Sequence, residues 1–507
     1  MKHVLVAAAL VVSCAAGAAA QTSPSNQLGK INFPTSAKPA AQEPFLVGVK
    51  GLFNFEFDIA AEAFQQAQKA DPAFALGYWG EAMSFNHPLW AQQDLAAARR
   101  VMERLGPSAA ARAAKAPEGK ERALVESLEV LFGGSGDKLT RDLAYAETMK
   151  RIHEKYPDDD EIATFYALAL LGTARPGDKN IRNAMQAAAI VEGVFQRNPQ
   201  HPGAAHYIIH SFDDPDHAIL ALPAARAYAK IAPSAAHALH MPSHIFVQLG
   251  MWEDVAHSNI VAYKAAVDLA EARNLPRGRE DFHTLSWLQY AYLQQGKFDD
   301  AAKQVAIAKD VADKFDAPNV RDGYAAMKAR QVVETGKWEK LPLSGGPVRD
   351  GGAPGYDGNA AYVLAAGISA ARLGDMETAG RALTIMQTMR QQAESGSNAY
   401  RAKPLKIMEN EISATIHAVR NGPNDRESAE RMLKEAVDIE KSLDAPSGPP
   451  EPIKPSFEAY GEFLLDQGRM KEAADQFHQS LLRMPNRRAS VQGLAKTTVT
   501  SSTQQRQ

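Results

Sequence analysis

Pro199 and Pro233 stand 34 residues apart, and so do His206 and His240, and again His210 and His244. A chain that returns one proline and two histidines at a fixed interval is built of stacking units, because a unit of that size cannot bury its own apolar face alone. The same constraint accommodates the length. A chain of 507 residues exceeds what one ordinary core organises, whereas a stack grows along a single axis. Apolar residues recur at three- and four-residue spacing between Gly and Pro breaks, and alternating strand patterns are almost absent, so the units are predicted to be helical.

The C-terminal unit shows the pattern most fully: Phe457, Gly461 and Leu464 are followed by Gly468, Ala473, Phe477 and Pro485. This resembles the tetratricopeptide repeat, a 34-residue helix-turn-helix in which a small residue lets two helices approach, a glycine ends the first and a proline ends the second. Similar signatures occur at Ala60, Phe64 and Pro72, then at Tyr78, Ala82 and Phe85. Further ones are Ala187 with Pro199, Ala221 and Ala225 with Pro233, Tyr292, Gly296 and Ala301, and Gly367, Gly374 and Ala379. The resemblance implies an all-α, right-handed α-solenoid of tetratricopeptide-like repeats, with a concave groove as its binding surface. Residues 92–141 look helical but fit no repeat.

The domain organisation follows. Residues 1–20 read as a secretory signal, with Lys2, an apolar stretch from Val4 to Val12 and Ala18-Ala19-Ala20 before Gln21. Residues 21–42 read as a linker, 43–335 as an N-terminal array, 336–358 as a Gly/Pro-rich linker, 359–496 as a C-terminal array and 497–507 as a disordered tail; the stretch from Pro446 to Pro455 also reads as a long loop. The expected location is periplasmic or secreted. The minority alternative is a lipoprotein cleaved before Cys14, the only cysteine. With that cysteine inside the signal, the mature chain would offer no disulfide and no thiolate. No later apolar run is long enough to span a bilayer. Lys plus Arg number 56 against 59 Asp plus Glu, so no global charge draws nucleic acid or anionic lipid.

Eight of the 14 histidines fall between His201 and His257. In the first of two successive units the core stripe of the leading helix reads Ala205, Ile209 and Phe212; in the second it reads Leu239, Ser243 and Phe246. The pairs His206/His210 and His240/His244 each follow a core position by one residue, a rotation of about 100°, with His237 one turn earlier on the same stripe. In the tetratricopeptide family that stripe faces the groove, so the resemblance implies five imidazoles on one patch. Residues i and i+4 have Cβ atoms about 5–6 Å apart and packed helix axes lie about 8–10 Å apart, so one small ion is within reach of both pairs. Asp213 and Asp214 are candidate supporting groups, and His283 a candidate entrant from the next unit. Trp79, Met83, Asn86 and His87 near the N-terminus, and Glu458 and Glu462 in the last unit, are weaker candidates for groove ligands. Pro242 inside one helix, and Pro223 inside or near the start of another, are each expected to remove a backbone donor and bend the helix.

Imidazole donors without thiolate suit a transition metal, zinc or copper. HExxH, Cys-x-x-Cys-His, G-x-S-x-G and phosphate-cradling glycine loops are all absent. The favoured function is an exported repeat scaffold that binds a transition metal or a metal-bearing ligand in its groove. The alternative is a metal-dependent enzyme, hydrolytic or redox, at the same cluster, with Asp213 or Asp214 as orienter or base. A further alternative is a metal-free scaffold for a protein or peptide partner, its imidazoles bonded to Asp213, to carbonyls freed by the prolines or to each other. Oligomeric state is not encoded in these patterns.

Overall fold

The computed structural model describes residues 27–504, apart from 179–180, 276–280, 316, 345–355 and 397–398. The expected signal therefore lies outside the described residues. The described chain is an α-solenoid of tetratricopeptide-like helical hairpins, and its one sheet is a two-residue bridge that pairs Asn86–His87 with Gln92–Gln93.

The packing rule of the repeat is visible at Phe64. Its ring is held between Gly48 of the helix Pro39–Phe53 and Gly80 of the helix Ala75–Met83, where an added Cβ would approach to 2.7 and 2.2 Å. At the other end Phe477 lies between Gly461 and Gly493, with corresponding approaches of 2.9 and 2.4 Å. A small residue on each of two successive leading helices thus admits one phenyl ring from the helix between them, which fixes the spacing of the stack. Gly468 closes the leading helix Ser456–Asp466 with φ of 73°, a conformation that penalises a side chain.

Several expected boundaries differ. Residues 27–38 are not a free linker: Leu28 and Phe33 are buried, Asn32 donates to Glu161, and Ser36 is bonded to Glu121. The unassigned stretch 92–141 supplies the helices Leu95–Leu105, Ala109–Ala113 and Lys120–Leu128 and a widened turn at Glu129–Gly133. The helix Arg488–Gln504 continues into what was expected to be a disordered tail. Across the Gly/Pro-rich stretch the core does not break, because Ala325, Ala329, Val332 and Val333 of the helix Pro318–Thr335 share one apolar cluster with Tyr362, Val363 and Ala366 of the helix Ala360–Arg372.

The solenoid also closes on itself. Trp252 Nε1 donates to the Asn486 carbonyl at 2.9 Å, and the Arg488 amide donates to Gln294 at 2.9 Å. Arg487, 1% exposed, reaches Glu458, Glu334 and the hydroxyl of Tyr290. The last repeat therefore rests on the helices Trp252–Ala272, Phe282–Gln294 and Pro318–Thr335, which follow the second histidine pair. No described helix is long and apolar enough to cross a membrane.

Candidate metal centre

The first histidine pair stands on the helix Pro202–Ser211 and the second on a broken helix, Ala236–His240 then Pro242–Gln248. The break is at Met241, because Pro242 has no N–H to continue the ladder and takes the first position of the new helix. The third unit contributes the helix Phe282–Gln294.

These helices sort six imidazoles into two triads, His206/His210/His237 and His240/His244/His283, in each of which the ligand atoms lie within 4.8 Å of one another. Both triads follow one rule: an i, i+4 pair on one leading helix is completed by a histidine from the next. His206 Nε2 lies 3.0 Å from His210 Nε2 and 3.1 Å from His237 Nε2. His240 Nε2 lies 3.2 Å from His244 Nε2 and 3.1 Å from His283 Nε2. The expectation that one ion serves both pairs is thereby corrected. His237 completes the preceding pair, and His283 is a direct member of the second triad.

The rings are held from behind. His206 Nδ1 meets the Phe53 carbonyl at 2.7 Å, His240 Nδ1 meets Asn259 Oδ1 at 2.7 Å, and His244 Nδ1 meets Asp213 Oδ2 at 2.7 Å. Asn259 donates its own amide hydrogen to the Val255 carbonyl, which leaves Oδ1 to accept from His240. A carbonyl and an amide oxygen require N–H on the facing nitrogen, so Nε2 of the neutral His206 and His240 rings carries a bare lone pair, while the Asp213 carboxylate takes an N–H from His244 Nδ1. His240 Nε2 therefore presents a bare lone pair to His244 Nε2 and His283 Nε2. His206 likewise presents a single lone pair to two ring nitrogens.

His206 is wholly buried and His240 2% exposed, deeper than positions beside a core stripe were expected to be, whereas His283 is exposed. Burial pushes the His206 imidazole down to about 3. Burial, reinforced by neighbouring imidazoles, holds His210, His237 and His240 well below the ordinary histidine range. Although one side of its ring is exposed, His283 is lowered as well, chiefly by desolvation among its neighbours. Neutral imidazole is the form that ligates a metal. Nitrogens 3.0–3.2 Å apart are close enough for one ion to be bound by two of them at about 2.05 Å.

Aromatic rings wall the hollow. Phe55 packs on His206, His210 and His237 with centroids 4.4, 5.8 and 5.4 Å away, and Trp90 lies 6.3 Å from His237. Trp287 packs on His244 at 4.5 Å and on His240 at 5.0 Å. Phe55 has φ of 56°, which is strained for a large side chain, and the turn containing it also aims the Phe53 carbonyl at His206. Phe55, Asn259, Trp90 and Trp287 carry no repeat signature, and only the fold brings them here.

The other candidates separate. Asp213 is at the site, behind His244, but Asp214 is not: it turns away to bind His217 Nδ1 at 2.8 Å and the amides of Asp216 and His217. Trp79 does not face the groove. It is fully buried and edge-on to Phe165 of the helix Asp160–Leu171, because this neighbouring helix covers the side where a groove was expected. Met83 is also buried, against Tyr145, and Asn86 is buried and accepts from Lys138. His87 stacks on Phe57 at 4.1 Å and lies 6.3 Å from Trp90, on the rim of the hollow. Glu458 is bonded to Arg487 and Lys454 and Glu462 to Lys454, and both line a separate cavity of about 660 Å³ that also reaches Phe298 and Glu334.

No protein-family profile matches the chain, and no curated protein matches it. Among solved structures it is similar to yeast Tom70, with 12% identity over 92% of this chain and 90% of that one and a TM-score of 0.33. It is also similar to the Cut9–Hcn1 hetero-tetramer of the APC/C, with 12% identity over 92% and 78% and a TM-score of 0.35. The TPR domain of P58(IPK) gives 13% identity over 92% and 99% with a TM-score of 0.21. The fold and the site described above rest on the helices and side chains of this chain itself.

Proposed function

We propose that this chain is an exported helical-repeat protein that binds a transition metal in its histidine hollow, the solenoid serving as the rigid frame. The observation that carries this reading is the convergence of three imidazole nitrogens in each of two triads, within 4.8 Å of one another, with His206 and His240 oriented from behind. Donors on adjacent helices, oriented from behind and shielded by aromatic rings, are what a preorganised metal site requires.

The test is the metal content of protein expressed in metal-replete medium, beside a variant with His206, His210, His240 and His244 all changed to Ala. Retained metal in the parent and its loss from a variant of unchanged helicity is the expected result. Equal, near-zero metal in both would overturn the reading. Cell fractionation with N-terminal sequencing tests export, with a mature chain starting at Gln21 expected. A second role in holding a protein or peptide partner is supported by the C-terminal cavity, where Glu411 is buried with both carboxylate oxygens lacking a hydrogen bond. A peptide that presents an amine or hydroxyl would satisfy it.

A further inference from the structure

We infer that the two triads together form a dinuclear copper centre whose ligand is dioxygen. This rests on the metal-binding reading above and goes beyond it in nuclearity, metal and substrate.

The triads are neighbours, not separate sites. Across the boundary between them His210 and His244 have ring centroids 6.1 Å apart, and His237 and His240 are 6.5 Å apart. Each triad is complete in itself, with three nitrogens from two helices. One ion per triad is therefore the natural loading, and each ion keeps an open position after its three imidazoles. No carboxylate enters either triad among the described residues. Asp213 stands one bond further out, on the Nδ1 side of His244.

That donor set discriminates between metals. Two dications would bring four positive charges onto six imidazole donors with no carboxylate among them, the acids Asp213, Glu56 and Asp281 lying outside the triads. Two copper(I) ions would bring two, at a smaller desolvation and repulsion cost. The affinity order of nitrogen sites for divalent ions also places copper highest once oxidised. Hydrolytic pairs of hard cations use carboxylate and water ligands, which this set lacks.

A pair of copper(I) ions with adjacent open positions supplies what dioxygen needs. Each copper gives up one electron, dioxygen takes both, and the product is two copper(II) ions with the two-electron-reduced oxygen held between them. Acid then releases that oxygen as hydrogen peroxide after uptake of two protons. Entry is from the side where His283 and Trp90 are exposed.

The experiment uses the full chain loaded anaerobically with copper(I), then exposed to air. Its companions are His237→Ala, which breaks the first triad at a half-buried ring, and His283→Ala, which breaks the second at an exposed one. The parent is expected to take two coppers per chain. After air it should show far less copper(II) spin signal than its copper content, because the two spins couple through the bridge, and acid quenching should release about one hydrogen peroxide per chain. Each variant should retain one copper, with full spin intensity once oxidised. One copper per parent chain would overturn the pair. Two coppers with full, uncoupled spin intensity would overturn the bridge. Copper that a copper(I)-specific chelator still finds reduced after air would overturn the dioxygen step. Two zinc ions taken up in preference to copper would overturn the metal assignment while leaving the metal-binding reading intact, and no metal of any kind would remove that reading itself.

Discussion

Asn259 shows how much one side chain outside the triads contributes. It is fully buried in the helix Trp252–Ala272, its amide anchored to the Val255 carbonyl and its oxygen on His240 Nδ1. Without that acceptor His240 is free to take the other tautomer and to rotate about its side-chain torsions. Outer partners of this kind are worth about 10–100-fold in metal affinity. Asn259→Ala should therefore weaken one class of bound metal by that factor and leave the other unchanged, as read in a competitive chelator titration. Equal weakening of both classes, or of neither, would contradict the assignment of Asn259 to one triad. Phe55 acts differently, since it touches three imidazoles of the first triad at once and is held there by a strained backbone. Histidine spacing carries no trace of either residue, because Asn259 arrives from another helix and Phe55 from the turn after Phe53.

At the scale of the element, the spacing of leading helices decides whether a third imidazole can reach the pair before it. That spacing is set by small residues facing large rings, as at Gly461 and Gly493 against Phe477. Gly461→Val should force the ring or the helices apart and cost about 1–3 kcal/mol, the usual range for overpacking. It should be seen as a lower thermal midpoint with metal stoichiometry unchanged, because the apolar cluster around Phe477 contains no residue of the histidine units. The break at Met241–Pro242 belongs to this scale as well. The i, i+4 pairs and the 34-residue return were legible in the sequence, since helical periodicity is local. Assignment of His237 to the preceding pair was not, because it depends on how two helices are offset along their axes.

The whole molecule is a solenoid that closes, and the strap from Pro446 onward is part of the closure. Gln248 donates to the Pro446 carbonyl while also reaching Asp213, and a Cβ on Gly448 would lie 2.3 Å from the Trp287 ring. The stretch expected to be a loop thus packs beside the second triad. The buried Arg487 holds the last repeat to the helices before it. Burial alone would raise Glu458, but Arg487 and then Lys454 outweigh it and hold the carboxyl at about 2. A depressed carboxyl contributes stability above its unfolded value of about 4.4, lost as pH falls through about 2. Arg487→Met should cost about 3–5 kcal/mol at neutral pH by stranding Glu458. Its deficit against the parent should shrink between pH 4 and 2, as measured by denaturant unfolding. A deficit that stays constant over that range would show the Arg487–Glu458 pair to be unimportant.

The sequence by itself determined the repeating unit, its helical nature and the two matched histidine pairs, because periodicity along one chain reports which face of a helix a residue occupies. Tertiary structure alone decided that there are two triads and not one shared site, that Asp213 serves while Asp214 turns away, and that Trp79 is core. Each of those outcomes depends on the offset and crossing of helices far apart in the chain, which packing sets and local pattern does not record.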